Sequence, residues 1–115
     1  MSYVDGFVAA VATNERETYM KHLAHVHPLF TECGALSLVD CWGDDVPEGK
    51  LTSFPMAVKC QPNETVVFGW VTWASREARD DGWKKLMADP RMQAESMPFD
   101  GKRMIFGGFQ VMLES

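Results

Sequence analysis

The chain has 115 residues, 46% hydrophobic and 23% charged, with a net charge of −5. That is one domain's worth of chain with enough apolar content for a single core, which excludes a disordered polymer. The acidic balance leaves no Lys/Arg cluster, only pairs such as Lys102-Arg103, and no apolar run of about eighteen residues, so neither a nucleic-acid nor a membrane partner is expected.

Tyr3 to Val11, "YVDGFVAAV", is short and rich in aromatic and β-branched residues, and predicts a strand. No basic segment precedes it and Asp5 interrupts its apolar run, so no secretory leader is expected. Tyr3, Asp5, Phe7, Ala9 and Val11 share one face; Val4, Gly6, Val8 and Ala10 share the other. Apolar residues on both faces predict a central strand. Thr13-Asn14 is an N-cap pair, with Glu15 and Glu17 in the first turn of a helix. Tyr19, Leu23, Val26, Phe30 and Cys33 form its inward stripe, and Gly34 ends it. Pro28 predicts a kink or a break near His27.

Ala35 to Gly43 is a second strand, with Leu36, Leu38, Asp40 and Trp42 on one face. A polar loop follows. Met56 to Cys60 and Thr65 to Trp73 then predict a hairpin around "QPNE". Ser75 caps a second helix whose apolar side is Ala78, Trp83, Leu86 and Met87, and Asp89-Pro90 stops it. Arg91 to Phe99 reads as irregular. Asp100-Gly101 reverses the chain into a last strand, Arg103 to Leu113. Gly107-Gly108 within that strand predicts a bulge, a sharp twist or the close approach of another backbone. No helix follows these glycines, so they do not cradle a phosphate.

The order gives an α+β, ferredoxin-like βαββαβ domain over residues 1–115. Its antiparallel sheet has four to five strands, the first and third central, with two helices on one face. Two helices cover one face only, while the strands are apolar on both. A second copy of the chain, sheet against sheet, is the expected cover, so the chain itself is the expected partner. Cys33, Cys41 and Cys60 are odd in number and form no C-x-x-C, which predicts a reducing, cytoplasmic setting with inert thiols.

"YVDGFV", "PLFTECGAL", "CWGDDVPEGKLTSFPMAVK" and "DPRM…ESMPFDGKRMIFGGF" together resemble the YbaA-like family of uncharacterised bacterial proteins (domain of unknown function 1428), over essentially the whole chain. The resemblance implies a dimeric α/β-barrel fold and supplies no activity. That superfamily includes cofactor-free monooxygenases, isomerases, dehalogenases, haem-degrading enzymes and proteins without known chemistry; fold alone does not choose among them.

Asp5 and Asp40 are the candidate catalytic residues, because a carboxylate within a strand must be wet, partnered or held in a cavity as a general base. A hydrogen-bonded structural role is the simpler reading of each. Trp42, Trp70 and Arg103 are the candidate ligand contacts, with packing and an ion pair to Asp100 as the simpler readings. His22 and His25 are three residues apart but lie outside the inward stripe, and His27 points elsewhere. No metal and no cofactor are expected. Two functions follow. The first is a homodimeric small-molecule binder, or cofactor-independent enzyme, with a pocket between sheet and helices. The second is a non-catalytic regulatory or interaction protein that uses its sheet only to dimerise. A pocket with a carboxylate in its wall separates them.

Overall fold

In the computed structural model, which describes residues 2–93 and 97–115, β1 (Tyr3–Ala12) runs antiparallel between β3 (Glu64–Trp73) and β4 (Ile105–Gln110). Strand β2 (Ser37–Trp42) completes the sheet outside β3. The order β2-β3-β1-β4 places the first and third strands in the middle, where their two-sided apolar character is used. Helices α1 (Arg16–Glu32) and α3 (Arg76–Ala88) supply Tyr19, Val26, Leu29, Phe30 and Leu86 to the core on one face of the sheet. They pack there against Tyr3, Ala9, Val11, Val67, Val71 and Trp73. This is the ferredoxin-like arrangement.

Local signals explain most boundaries. The Ser75 side chain accepts the Ala78 N–H at 3.1 Å and opens α3. The Asp100 carbonyl and carboxylate accept from Arg103 N and Lys102 N, forming the turn before β4. Gly34, at φ 108°, takes the left-handed position after α1.

Several expectations need correction. Met56 to Cys60 is not a strand, and the sheet has four strands, not five. A short helix, α2 (Phe54–Ala57), stands there, because the Ser53 side chain accepts Met56 N–H and Pro55 suits a first turn. Val58, 1% exposed, then plugs the sheet face opposite α1 and α3 beside Val8, Ala10 and Val66, and Phe54 of α2 meets Phe68 edge-on there. Thr13 does not cap α1. A 3₁₀ turn (Thr13–Glu15) precedes that helix, and the Thr13 hydroxyl shares a 2.7 Å hydrogen bond with that of Thr65.

Pro28 does not break α1. Pro28 and Ala24, whose carbonyl loses the proline's bond, are both exposed, so water can replace it. Within the segment expected to be irregular, Pro90–Gln93 forms a turn of helix, α4, while residues 94–96 lie outside the described residues. Strand β4 stops at Gln110, which pairs with Tyr3 at the start of β1, and one further bond joins Val111 N–H to the Ser2 carbonyl. Met87, expected on the buried side of α3, is 65% exposed.

The Gly107-Gly108 pair passes through an unbroken register with Gly6 and Asp5. A Cβ on Gly108 would lie 2.4 Å from the Tyr3 hydroxyl and 2.9 Å from Arg79. The close approach is real, but it is made by side chains.

Register also builds the site. Asp40, Gly69, Phe7 and Phe106 pair in sequence across all four strands and form one transverse row on the helix-bearing face. Leu38, Val71, Asp5 and Gly108 form the next row.

Candidate functional site

The two strand carboxylates lie on the same face, the one covered by helices, and their surroundings differ. Asp5 is wrapped by donors. Its Oδ2 accepts both indole N–H groups, from Trp73 and Trp83, each at 2.9 Å. Arg79 donates to Asp5 from Nε at 3.1 and 3.2 Å and from Nη2 at 2.9 Å. The same guanidinium lies 5.3 Å over the Tyr3 ring, and the hydrogen bond to Asp5 pushes its pKa up. This carboxylate ties α3 to the sheet and has no oxygen left for a substrate.

Asp40 has one partner. Its Oδ2 lies 2.5 Å from His27 Nε2, with the two side chains 10% and 33% exposed. Where Asp40 is ionised it can only accept, and Nε2 is then the donor of the pair. Oδ1 has no hydrogen-bond partner among the described residues. Since no buried side-chain oxygen or nitrogen is left unsatisfied among them, that oxygen is reached by solvent.

A Cβ placed on Gly69 would lie 2.7 Å from Asp40 Oδ1 and 2.5 Å from the Phe7 ring. Glycine at 69 therefore allows the carboxylate and the ring to meet over β3. At the far end of the row Phe106 is 76% exposed, although it stands on the helix-bearing face, so the helices leave this end of the row uncovered.

Helix α1 delivers the rest. Arg16, Tyr19, Leu23 and His27 follow at three- and four-residue steps and share one side of it. Tyr19 is buried, and its phenol pKa is raised first by burial and then by the charge of Asp40. Its ring lies 6.4 Å from that of Trp42 and 6.2 Å, edge-on, from that of Phe99. The Arg16 guanidinium sits 5.4 Å over the Trp42 ring.

Of the expected site residues, Asp40 and Trp42 come together, and His27 joins them. The expectation set His27 apart from His22 and His25 without giving it a partner, and the structure supplies Asp40. The inward stripe had been traced through Val26 and Phe30, yet His27 stands four residues after Leu23, and the helix side carrying both faces β2.

Trp70 lies on the opposite face, its ring 5.6 Å from that of Phe68. Arg103 is occupied by Glu64 at 2.7 and 2.8 Å, Asp100 at 3.2 Å and the Lys59 carbonyl at 2.9 Å. Its hydrogen bonds are the main cause of the Glu64 pKa falling to about 2. The His22 ring stacks 6.4 Å from Tyr19, and His25 Nε2 lies 3.3 Å from the Arg91 carbonyl oxygen. Among the described residues no three His, Cys, Asp or Glu side chains cluster as a metal site, and no helix is long and apolar enough to cross a membrane.

One hollow of about 250 Å³ opens beside Trp42, Phe54 and Phe68, and another of about 280 Å³ lies along the C-terminal tail. Neither has Asp5 or Asp40 in its wall.

The model of the family described as "Protein of unknown function (DUF1428)" matches residues 2–101. The chain belongs to that family. DUF1428 relatives include the uncharacterized protein YbaA of Escherichia coli K12 and of Shigella flexneri, each 53% identical over 116 residues and 99% of both chains. The fold recurs in a Bacillus cereus protein provisionally named an antibiotic biosynthesis monooxygenase. That likeness has a TM-score of 0.60 and 10% identity, over 100% of this chain and 95% of the other. A NIPSNAP domain protein of Burkholderia xenovorans gives a TM-score of 0.58 at 16% identity, over 96% and 94%. At such identities the likeness is one of fold.

Proposed function

We propose that this DUF1428 protein is a homodimer that binds a small, largely apolar molecule along the row from Asp40 to Phe106 and removes a proton from it without a cofactor. The observation that carries this reading is the 2.5 Å contact between Asp40 and a partly exposed His27. In it one carboxylate oxygen is fixed by the imidazole and the other is open. A molecule lying on Phe7 and Phe106 would bring an O–H or an acidified C–H to Oδ1. The proton would pass to Oδ1 while the His27 N–H holds Oδ2 and keeps the carboxylate aimed. Gly69 and Phe7 fix the approach from below.

The dimer is supported by the face opposite α1 and α3. Ile105 and Phe109 stand there 46% and 63% exposed, and Phe68 is still 40% exposed beside Phe54 of α2. Light scattering at micromolar concentration is expected to give twice the chain mass, and Phe109→Lys is expected to give the chain mass.

The binding reading is tested by thermal-shift and calorimetric screening of apolar and aromatic hydroxy compounds against the wild type, Asp40→Ala and His27→Gln. Hits lost in both variants support it. Hits that survive both variants refute it. The second reading, an interaction protein without chemistry, draws support from the saturation of Asp5 and from two hollows without Asp5 or Asp40 in their walls. It gains if the screen yields no ligand.

A further inference from the structure

Arg16 differs from the other arginines. Arg76, Arg79, Arg91 and Arg103 each hold a carboxylate. Arg16 holds none among the described residues, although 16 acidic residues stand against 11 basic ones in the chain. Its guanidinium rests on the Trp42 ring, which in turn sits against Tyr19. Arg16 is exposed, and a cation resting over a ring keeps its N–H donors for a carboxylate. Trp42 follows Asp40 by two residues on the same strand face, a distance of about 7 Å at roughly 3.3 Å per residue.

We infer that Arg16, held on Trp42, recognises an anionic group of the molecule whose proton Asp40 removes, so that the ligand class is an aromatic or apolar hydroxy acid. This rests on the reading of Asp40 given above. Such a molecule presents its hydroxyl to Asp40 and its anionic group to Arg16. This placement also explains how an anion is accepted beside Asp40: Arg16 at one end and the His27 N–H at the other offset the repulsion. An arginine that merely packs on a tryptophan would affect stability and would not distinguish an acid from its amide.

The experiment titrates 4-hydroxyphenylacetate and 4-hydroxyphenylacetamide into the wild type, Arg16→Gln, Arg16→Lys and Asp40→Ala by calorimetry, with melting curves confirming that each variant is folded. The wild type is expected to bind the acid about tenfold more tightly than the amide, the worth of one charge-assisted contact. Arg16→Gln is expected to bring the two affinities together, and Arg16→Lys to keep part of the preference. Asp40→Ala is expected to weaken the amide, the arm that reports on the Asp40 row alone. A wild type that binds both probes equally, or an Arg16→Gln variant that still prefers the acid, overturns the role of Arg16 and leaves the Asp40 site standing. Amide affinity unchanged in Asp40→Ala overturns the site itself. Saturable binding of neither probe at millimolar concentration overturns the ligand class.

Discussion

Asp5 and Asp40 stand one row apart on the same face of the same sheet, and the fold uses them in opposite ways. Asp5 meets two indoles and a guanidinium and has become a joint between α3 and the strands. Asp40 meets one imidazole and keeps an oxygen open. Both are mostly buried, at 14% and 10% side-chain exposure, so burial does not separate them. The number of donors aimed at each does. A carboxylate with all its acceptor positions filled is structure, and one with a vacancy beside an orienting histidine is available for chemistry.

The comparison can be broken first at Asp5. Asp5→Ala strands Arg79 and two indole N–H groups, and should cost about 3–5 kcal/mol in urea unfolding. A loss below about 1 kcal/mol would show that these contacts do not anchor α3. Gly69→Ala comes next. Its methyl would collide with Phe7 and Asp40, so it should cost about 1–3 kcal/mol and displace the His27 ring signals in an NMR spectrum. Unchanged signals would mean that Asp40 does not lean on this glycine.

Asp40→Ala should be milder than either. His27 is partly exposed and can turn to water, so about 1 kcal/mol is expected, with the main loss in ligand binding. A cost equal to that of Asp5→Ala would erase the distinction.

Glu64 sharpens the contrast least, through pH. Arg103 holds its carboxyl near 2, below the ordinary 4.5. A lowered pKa means stabilisation that is complete above pH 4.5 and is lost as the pH falls toward 2. The solvent-screened pair should be worth about 1 kcal/mol, and Glu64→Gln should flatten the unfolding profile over that window.

Much of the fold was legible because period-two and period-four patterns are strong signals here. The alternation in "YVDGFVAAV" placed Asp5 correctly on the Tyr3 face, and the step from Tyr19 to Leu23 to Val26 found the core side of α1. The short helix at Phe54 is illegible in the sequence, because four residues are too few to show a helical period and the Ser53 cap acts only once the loop is folded. His27 was missed for a related reason. A residue at the margin of a helical stripe can face the core or a neighbouring strand, and only the position of β2 decides. Asp40 could be nominated from its place in a strand, but its separation from Asp5 could not. Trp73, Arg79 and Trp83 reach Asp5 across 68 to 78 residues of chain, and no local pattern encodes that convergence.

The crowded space above Gly69 has one further effect. Phe7 and Asp40 lie 2.5 and 2.7 Å from where a Cβ on Gly69 would stand, so any side chain at 69 would push against both. The bare backbone there is a shared floor for ring and carboxylate, and one missing methyl sets the shape of the surface on which the two meet.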